Sequence, residues 1–504
     1  MHPHTIRLSI ASSLAAVTFV AGLRADWASF GVSPEFPQAG ACSGTAVAMF
    51  QQAPTPTPQM NTGVRAALWA GAPFASGSQR ASGVVHAWAF VTTPGMTWQY
   101  AWQLTSCSPQ PGALFGASLA YGKTMIAPDA IASTGFLLVG SPGHRLVSAS
   151  TASAAQAAGF AEAFPLSNAL SLPGQGFGIA LTPPAIVAGD QYGTAVAASV
   201  AGAGGGSLPW AFASAPGVDV TGAQDAGAVH AFRRDAASTF TFVGTLSMPG
   251  AAPNDRLGRA ALAAAGDRIY ASCDRGSGAV GVFALVGGAP GHESTILPPA
   301  SGPTVQGFGA ALACDGTFLV VGAPGAYGQA PDTGTVFVLD AAPPHAVRQV
   351  IATPWPGECA GFGAAVALER GQLVIATEQG SSSLASGQVA VYELNASGGL
   401  TLQATLAGDA DAAFGTAVAA TGAHVAVGAA AGGTDLGGAV TLRSMVATRT
   451  PDLNHDGIVN GKDLGLLLAA FRPGLYTGPE DLNNDSLVNG ADLAVLLAAW
   501  GTSG

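Results

Sequence analysis

Charge is scarce in this 504-residue chain: only 9% of residues are Asp, Glu, Lys or Arg, and 18 basic side chains leave a net charge of −11. A nucleic-acid partner usually demands a basic face, so that class is excluded at the outset. Aromatic residues are sparse at 7%, and there are five cysteines: Cys42, Cys107, Cys273, Cys314 and Cys359. None has a metal-type pair spacing, and an odd number leaves at least one thiol unpaired in an exported chain. Scattered buried thiols are expected, with room for one disulfide. Long apolar runs are also missing beyond the N-terminus, where "MHPHTIR" precedes "LSIASSLAAVTFVAGL". A basic start, an apolar stretch diluted by Ser and Thr, and a small residue at Ala25 predict a signal peptide over residues 1–25. With no second such segment, no membrane span is expected. The mature protein is expected to be secreted or held at the cell surface, as a monomer.

Glycine, by contrast, is abundant, with 70 residues, and it recurs in a pattern. "CSGTAVAMF", "LFGASLAYG", "QYGTAVAAS", "RLGRAALAA", "GFGAALACD", "GFGAAVALE" and "AFGTAVAAT" align on Gly44, Gly116, Gly193, Gly258, Gly309, Gly363 and Gly415. A second apolar run ending in a glycine turn follows most copies ("LWAGAPF", "LLVGSPG", "LVVGAPG"), and then a third ("SGVVHAWAF", "AGAVHAFRR", "TGTVFVLDA"). Each run is short, rich in Val, Ala and aromatics, and bounded by Gly, Pro or Asp, which is strand chemistry. A fourth, less regular run such as "WQYAWQLTS" or "LTLQATLAG" completes a four-stranded unit. Seven antiparallel units that cannot each bury both faces predict a β-propeller over residues 26–449. The seventh unit stops after "VTLRSM" with no fourth strand. Trp27 to Val32 is therefore expected to supply the outer strand of the last blade and so remove an exposed edge.

The pairing of "FG" with "VGAPG" about 13 residues later, then "TGTVFVL", resembles the FG-GAP repeat, the blade of integrin-α-like propellers. The best copy runs from Phe308 to Leu339; copies four and six, with "IYASCDRG" and "LVIATEQG", are weaker. The resemblance implies seven blades with the "FG" strand innermost. That family often carries DxDxDG calcium loops, but no unit here has one, so those sites are not carried over.

Catalytic motifs are scarce. No Gly-Lys-Ser/Thr follows "VGAPG", so it reads as a turn and not a phosphate cradle. His292 and Glu293 begin an HExxH that lacks its second histidine. His86 and His230 fall at equivalent third-strand positions, which reads as structural. Asp190, Asp255 and Asp411, just before the repeat glycine, read as turn formers. Long segments between second and third strands, "GSPGHRLVSASTASAAQAAG" and "APGVDVTGAQDAGAV", are the candidate binding loops.

The scarce charge concentrates at the C-terminus, where seven of the 29 acidic residues lie between Asp452 and Asp492. "DLNHDGIVNGKDLGLLLAAF" and "DLNNDSLVNGADLAVLLAAW" match at an offset of 29 residues. Oxygen-bearing side chains occupy loop positions 1, 3, 5, 9 and 12: Asp452, Asn454, Asp456, Asn460 and Asp463, then Asp481, Asn483, Asp485, Asn489 and Asp492. Position 7, Ile458 and Leu487, is apolar, as fits a backbone-carbonyl ligand. This is an EF-hand-like calcium layout, with Asp replacing the usual Glu at position 12. Ser486 replaces the turn glycine found at Gly457, so the second site is expected to be the weaker. Each loop precedes a helical apolar stripe: Leu464, Leu467, Leu468 and Phe471, then Leu493, Leu496, Leu497 and Trp500.

This duplicate, residues 450–504, resembles the type I dockerin module. The resemblance implies two bound Ca²⁺, docking onto a cohesin-like domain of a secreted or surface protein, and partner choice by Gly461, Lys462, Gly490 and Ala491. These are not the hydroxyl pairs of the well-known cellulosome dockerins. The expected function is a non-catalytic, scaffold-associated binding protein whose propeller presents a protein or glycan site. A carbohydrate-active enzyme (polysaccharide hydrolase or lyase) and a structural surface-layer protein are the competing readings.

Overall fold

The computed structural model describes residues 27–32, 45–51, 64–75, 82–91, 97–123, 135–145, 157–166, 178–201, 208–235, 239–299, 305–325, 333–355, 361–377, 387–395, 397–408, 413–421, 424–430, 438–445, 451–454, 458–471, 480, 482, 488 and 490–501. Residues 1–25, expected to form a signal peptide, and Gly44, Cys42, Cys359 and Asp411 lie outside these residues.

Seven four-stranded antiparallel sheets form a seven-bladed β-propeller. In six of them the strands lie in chain order, spanning residues 46–104, 118–180, 196–246, 262–296, 311–352 and 365–407. The seventh pairs Trp27–Val32 with Ala439–Met445, followed by His424–Ala429 and Phe414–Ala420. The first strand of the chain is thus the outer strand of the last blade, as the missing fourth run predicts.

Burial follows radius. Second strands such as Gly135–Ser141 and Phe318–Ala323 are buried at every residue. The outer strand Val347–Ala352 of blade five exposes four of its six residues. The apolar cores lie between blades rather than within them. Trp210 and Phe212 of blade three pack with Leu257, Ile269 and Phe283 of blade four. Phe337 of blade five joins Tyr270 and Val282 of blade four in the next cluster. A lone blade would leave both of its apolar faces wet, so stability resides in the stack.

Among the described residues, the aromatic- or Leu-Gly dipeptide pins five seams through its backbone. The N–H of the residue before the repeat glycine donates to the preceding blade: Phe115 to Ser82 O (3.0 Å), Tyr192 to Ala158 O (2.9 Å), Leu257 to Ala226 O (3.0 Å), Phe308 to Ser277 O (3.1 Å) and Phe362 to Thr333 O (3.1 Å). The glycine N–H then donates to the second strand of its own blade, as Gly309 does to Gly322 O (3.0 Å) and Gly363 to Ala376 O (2.9 Å). The aromatic side chain fills the seam: Phe115, Tyr192, Phe308 and Phe362 are all buried. At the seam of blades five and six Gly363 has φ +97°, and a Cβ there would meet Val336 Cγ2 at 2.8 Å. A Cβ on Gly322 would fall on the Gly363 carbonyl oxygen. Only hydrogen fits at either position. The residue before the aromatic is also left-handed, with φ of 60° at Leu114, 54° at Gln191 and 49° at Ala413.

Two substitutions test this geometry through the denaturation midpoint. Gly363→Ala is expected to destabilise by at least about 1–2 kcal/mol from its φ alone. Ala413→Gly is expected to stabilise by about 0.5–1 kcal/mol, because relief of left-handed strain exceeds the entropy that glycine adds to the unfolded chain. Shifts of the same sign in both would show that backbone angle is not what these positions are selected for.

Candidate calcium module and propeller loop face

Two helices, α1 (Gly461–Ala470) and α2 (Gly490–Ala498), follow the two acidic segments. α1 begins in a capping box. The Asn460 side chain accepts the Lys462 N–H (2.9 Å), and the Asn460 N–H donates to Asp463 Oδ2 (2.8 Å). The other oxygen of Asp463, Oδ1, accepts the Asn454 N–H (3.1 Å). One fully buried carboxylate therefore ties positions 3 and 9 of the first loop to the start of the helix. Asp452 is also buried, and Asp492 is fully buried in the first turn of α2. The Ile458 side chain points to solvent, while its carbonyl oxygen accepts from Asn460 Nδ2 (2.9 Å). Gly461, Lys462 and Gly490 are exposed at the helix starts, and Ala491 follows Gly490 within α2. Asp456, Asp481, Asn483, Asp485, Leu487 and Asn489 lie outside the described residues. The described donors are all oxygen, and the chain is folded back so that Asp452 and Asp463 are both withdrawn from water. That chemistry suits a hard cation such as Ca²⁺.

The apolar stripe needs correction. Val459, Leu467, Ala470, Leu482, Val488 and Leu496 form the module's core, with Leu464 and Leu493 packed against it. Leu468, Phe471, Leu497 and Trp500 are instead 40–51% exposed. The i, i+3 rows face inward, and the valine ahead of each helix fills the space that the i+4 residues were expected to take.

On the propeller, His86 and His230 each bond within their own blade: His86 Nδ1 to Tyr100 Oη (3.3 Å) and His230 Nδ1 to Thr245 Oγ1 (3.0 Å). Asp190 and Asp255 close their own turns, accepting the Val187 N–H (2.7 Å) and the Ala252 N–H (2.8 Å). The two long loops do join second and third strands, in blades two and three. Cys107, Cys273 and Cys314 are free thiols. Among the described residues no group of three His, Cys, Asp or Glu side chains is placed to hold a metal.

Sequence reading missed Glu162, which has no exposed surface and occupies the blade-two equivalent of His86 and His230. It accepts from Ser106 Oγ (2.5 Å) and the Cys107 N–H (2.9 Å), anchoring the connection from blade one. Burial raises its carboxyl above the usual range. Partial burial, then the neighbouring Glu162, pushes the Cys107 thiol up to about 12, so it stays protonated. The signal was available as the one acid among the third-strand positions aligned with these histidines.

No family model matches the chain, and no curated protein matches it. Among solved structures, one described as a "putative 6-phosphogluconolactonase" from Bacteroides uniformis is 12% identical, covering 73% of this chain and 86% of that one, with a TM-score of 0.38. A chain of the Mitotic Checkpoint Complex is 10% identical, covering 86% and 99%, with a TM-score of 0.39. Neither likeness bears on function. Among the described residues no helix is long and apolar enough to cross a membrane.

Burial lowers His86, His230 and His424 from 6.5 to about 4. The unfolded chain binds these protons first, so stability is expected to hold above pH 6.5 and to fall between 6.5 and about 4. Thermal unfolding of His230→Gln against the parent across this window checks it: the variant should show a shallower loss. An identical pH profile would place the acid sensitivity elsewhere.

Proposed function

We propose that this is a secreted, non-catalytic binding protein. A propeller of the FG-GAP kind presents a ligand surface, and a dockerin-like module binds two Ca²⁺ and attaches the protein to a cohesin-like domain of a secreted or surface partner. The observation that carries the reading is the duplicated loop-and-helix unit, with buried carboxylates at Asp452, Asp463 and Asp492 in so small a module. Its described core is six buried residues. Such a core is thin for independent folding, and a bound ion whose ligation is part of the folding free energy would make up the difference. Gly461, Lys462, Gly490 and Ala491 stand at the helix starts, where the dockerin family selects its partner. Their lack of hydroxyls implies a partner surface different from that of the well-known cellulosome cohesins.

Calcium titration of the full secreted chain, read by calorimetry and by helical circular dichroism, tests the reading. Two equivalents of Ca²⁺ are expected to bind, the second more weakly, and chelator should remove the helical signal while the β signal remains. Capture from the native secretome should then depend on calcium. Absence of calcium uptake in a folded protein would end the proposal.

A further inference from the structure

Blade four departs from the other repeats in its charge. Residues 255–275 hold seven charged side chains in a chain that is 9% charged; Asp255, Arg256, Arg259, Asp274 and Arg275 lie at one end of the strands, and Asp267 and Arg268 at the hairpin at the other end. Arg259 follows the repeat glycine where the other copies have Thr45, Ala117, Thr194, Ala310, Ala364 and Thr416. Asp274 stands where Pro73, Pro142, Pro216 and Pro324 stand in blades one, two, three and five. These two departures meet: Arg259 Nε donates to Asp274 Oδ2 at 2.7 Å. Next to them Arg275 pairs with Asp255 and donates to Gly250 O (3.1 Å).

The seam between blades four and five also differs in its packing around the repeat glycine. At the seams after blades one, two and five, the second-strand glycine presses its backbone against the next repeat glycine: Gly71 on Gly116, Gly140 on Gly193 and Gly322 on Gly363. In blade four that residue is Ser272, as it is Ser214 in blade three, and the Ser272 hydroxyl turns inward to accept the Ala260 and Ala261 N–H groups, each at 3.0 Å. The nearest neighbours of a Cβ on Gly309 are then Ala279 and Val280 atoms at 3.1–3.8 Å, and Ser272 is not among them. A cavity of about 450 Å³ lies there, lined by Arg259, Asp274, Ser277, Gln306 and glycine backbone.

We propose that this cavity binds a carboxylate-bearing sugar residue, the end of an acidic glycan. Arg259 supplies the recognition. Nε is fixed by Asp274, and among the described residues no protein group accepts from Nη1 or Nη2, which leaves a pre-oriented fork for a carboxylate. Asp219 and Asp225 of blade three lie beside Arg256 on this face, so the four acids there, with Asp255 and Asp274, offset Arg256, Arg259 and Arg275, and selectivity for a carboxylate rests on the Arg259 fork and not on net charge. The hydroxyl of Ser277, the amide of Gln306 and the open main chain suit a polyhydroxylated ligand. Large apolar side chains that would anchor a peptide are absent from the lining apart from buried Phe308. The proposal names a ligand for the propeller half of the proposed function and does not depend on calcium.

The test is calorimetric titration of the full chain with trigalacturonate, with neutral galactotriose and with a glutamate-rich peptide, each repeated in chelator. Trigalacturonate alone is expected to bind, equally with and without chelator. Arg259→Gln should weaken it about tenfold or more, as expected for loss of a charge-assisted fork. Arg268→Gln, at the first hairpin turn of the same blade and paired there with Glu293, should leave it unchanged, with thermal unfolding reporting that both variants are folded. Equal binding of the neutral sugar, preferential binding of the peptide, no binding at all, or an unaffected Arg259→Gln would each overturn the assignment. Chelator-sensitive helicity with no sugar binding would retire this site alone; sugar binding without calcium uptake would retire the module and leave this site standing.

Discussion

The structure depends on the approach of two backbones at the blade seams, seen at five of them among the described residues. A peptide N–H just ahead of the repeat glycine reaches across to the preceding blade, and the glycine N–H reaches back to its own second strand. Because consecutive amides serve two sheets, the first strand cannot be moved without breaking a bond in each. Buried backbone groups must be paired, so the seam is enforced by polar satisfaction as much as by apolar area. The side chain between those amides then fills the gap the bonds define, which explains why Phe or Tyr recurs and why Leu257 serves at one seam.

From this follows the distribution of freedom in the rest of the propeller. Inner and second strands are held by both seam bonds and shared cores, so their sequences stay close to Val, Ala, Gly and aromatics. Outer strands touch only one neighbour within the sheet, and their composition drifts, as in Ala289–Ile296 with its "APGHESTI". The last blade takes its outer strand from the start of the chain, so its completion depends on residues almost four hundred positions from its innermost strand. The module at the C-terminus obeys a different rule: capping by Asn460 and Asp463 sets the start of α1.

Much of this was legible in the residues. Seven aligned glycines specify seven inner strands, and the missing fourth run after "VTLRSM" specifies where Trp27–Val32 must go. Period and turn chemistry carry that information because each copy repeats it. Side-chain facing within the two short helices was not legible: Leu464, Leu467, Leu468 and Phe471 satisfy one helical stripe on paper, yet only contacts with Val459 and Val488 decide which edge is buried. Glu162 escaped notice because its partners, Ser106 and Cys107, come from another blade. The departure at Ser272 to Arg275 was visible as a weak copy of the repeat. Its meaning emerges only when Arg259, fifteen residues earlier, is seen bonded to Asp274.

Amide hydrogen exchange measures the seam bonds most directly. The account predicts that the N–H groups of Phe115, Tyr192, Leu257, Phe308 and Phe362 exchange only by global unfolding, with protection equal to the slowest second-strand amides. Exchange of these five at the rate of the outer-strand or loop amides would contradict it, because blades would then be opening at their seams while each sheet stayed intact.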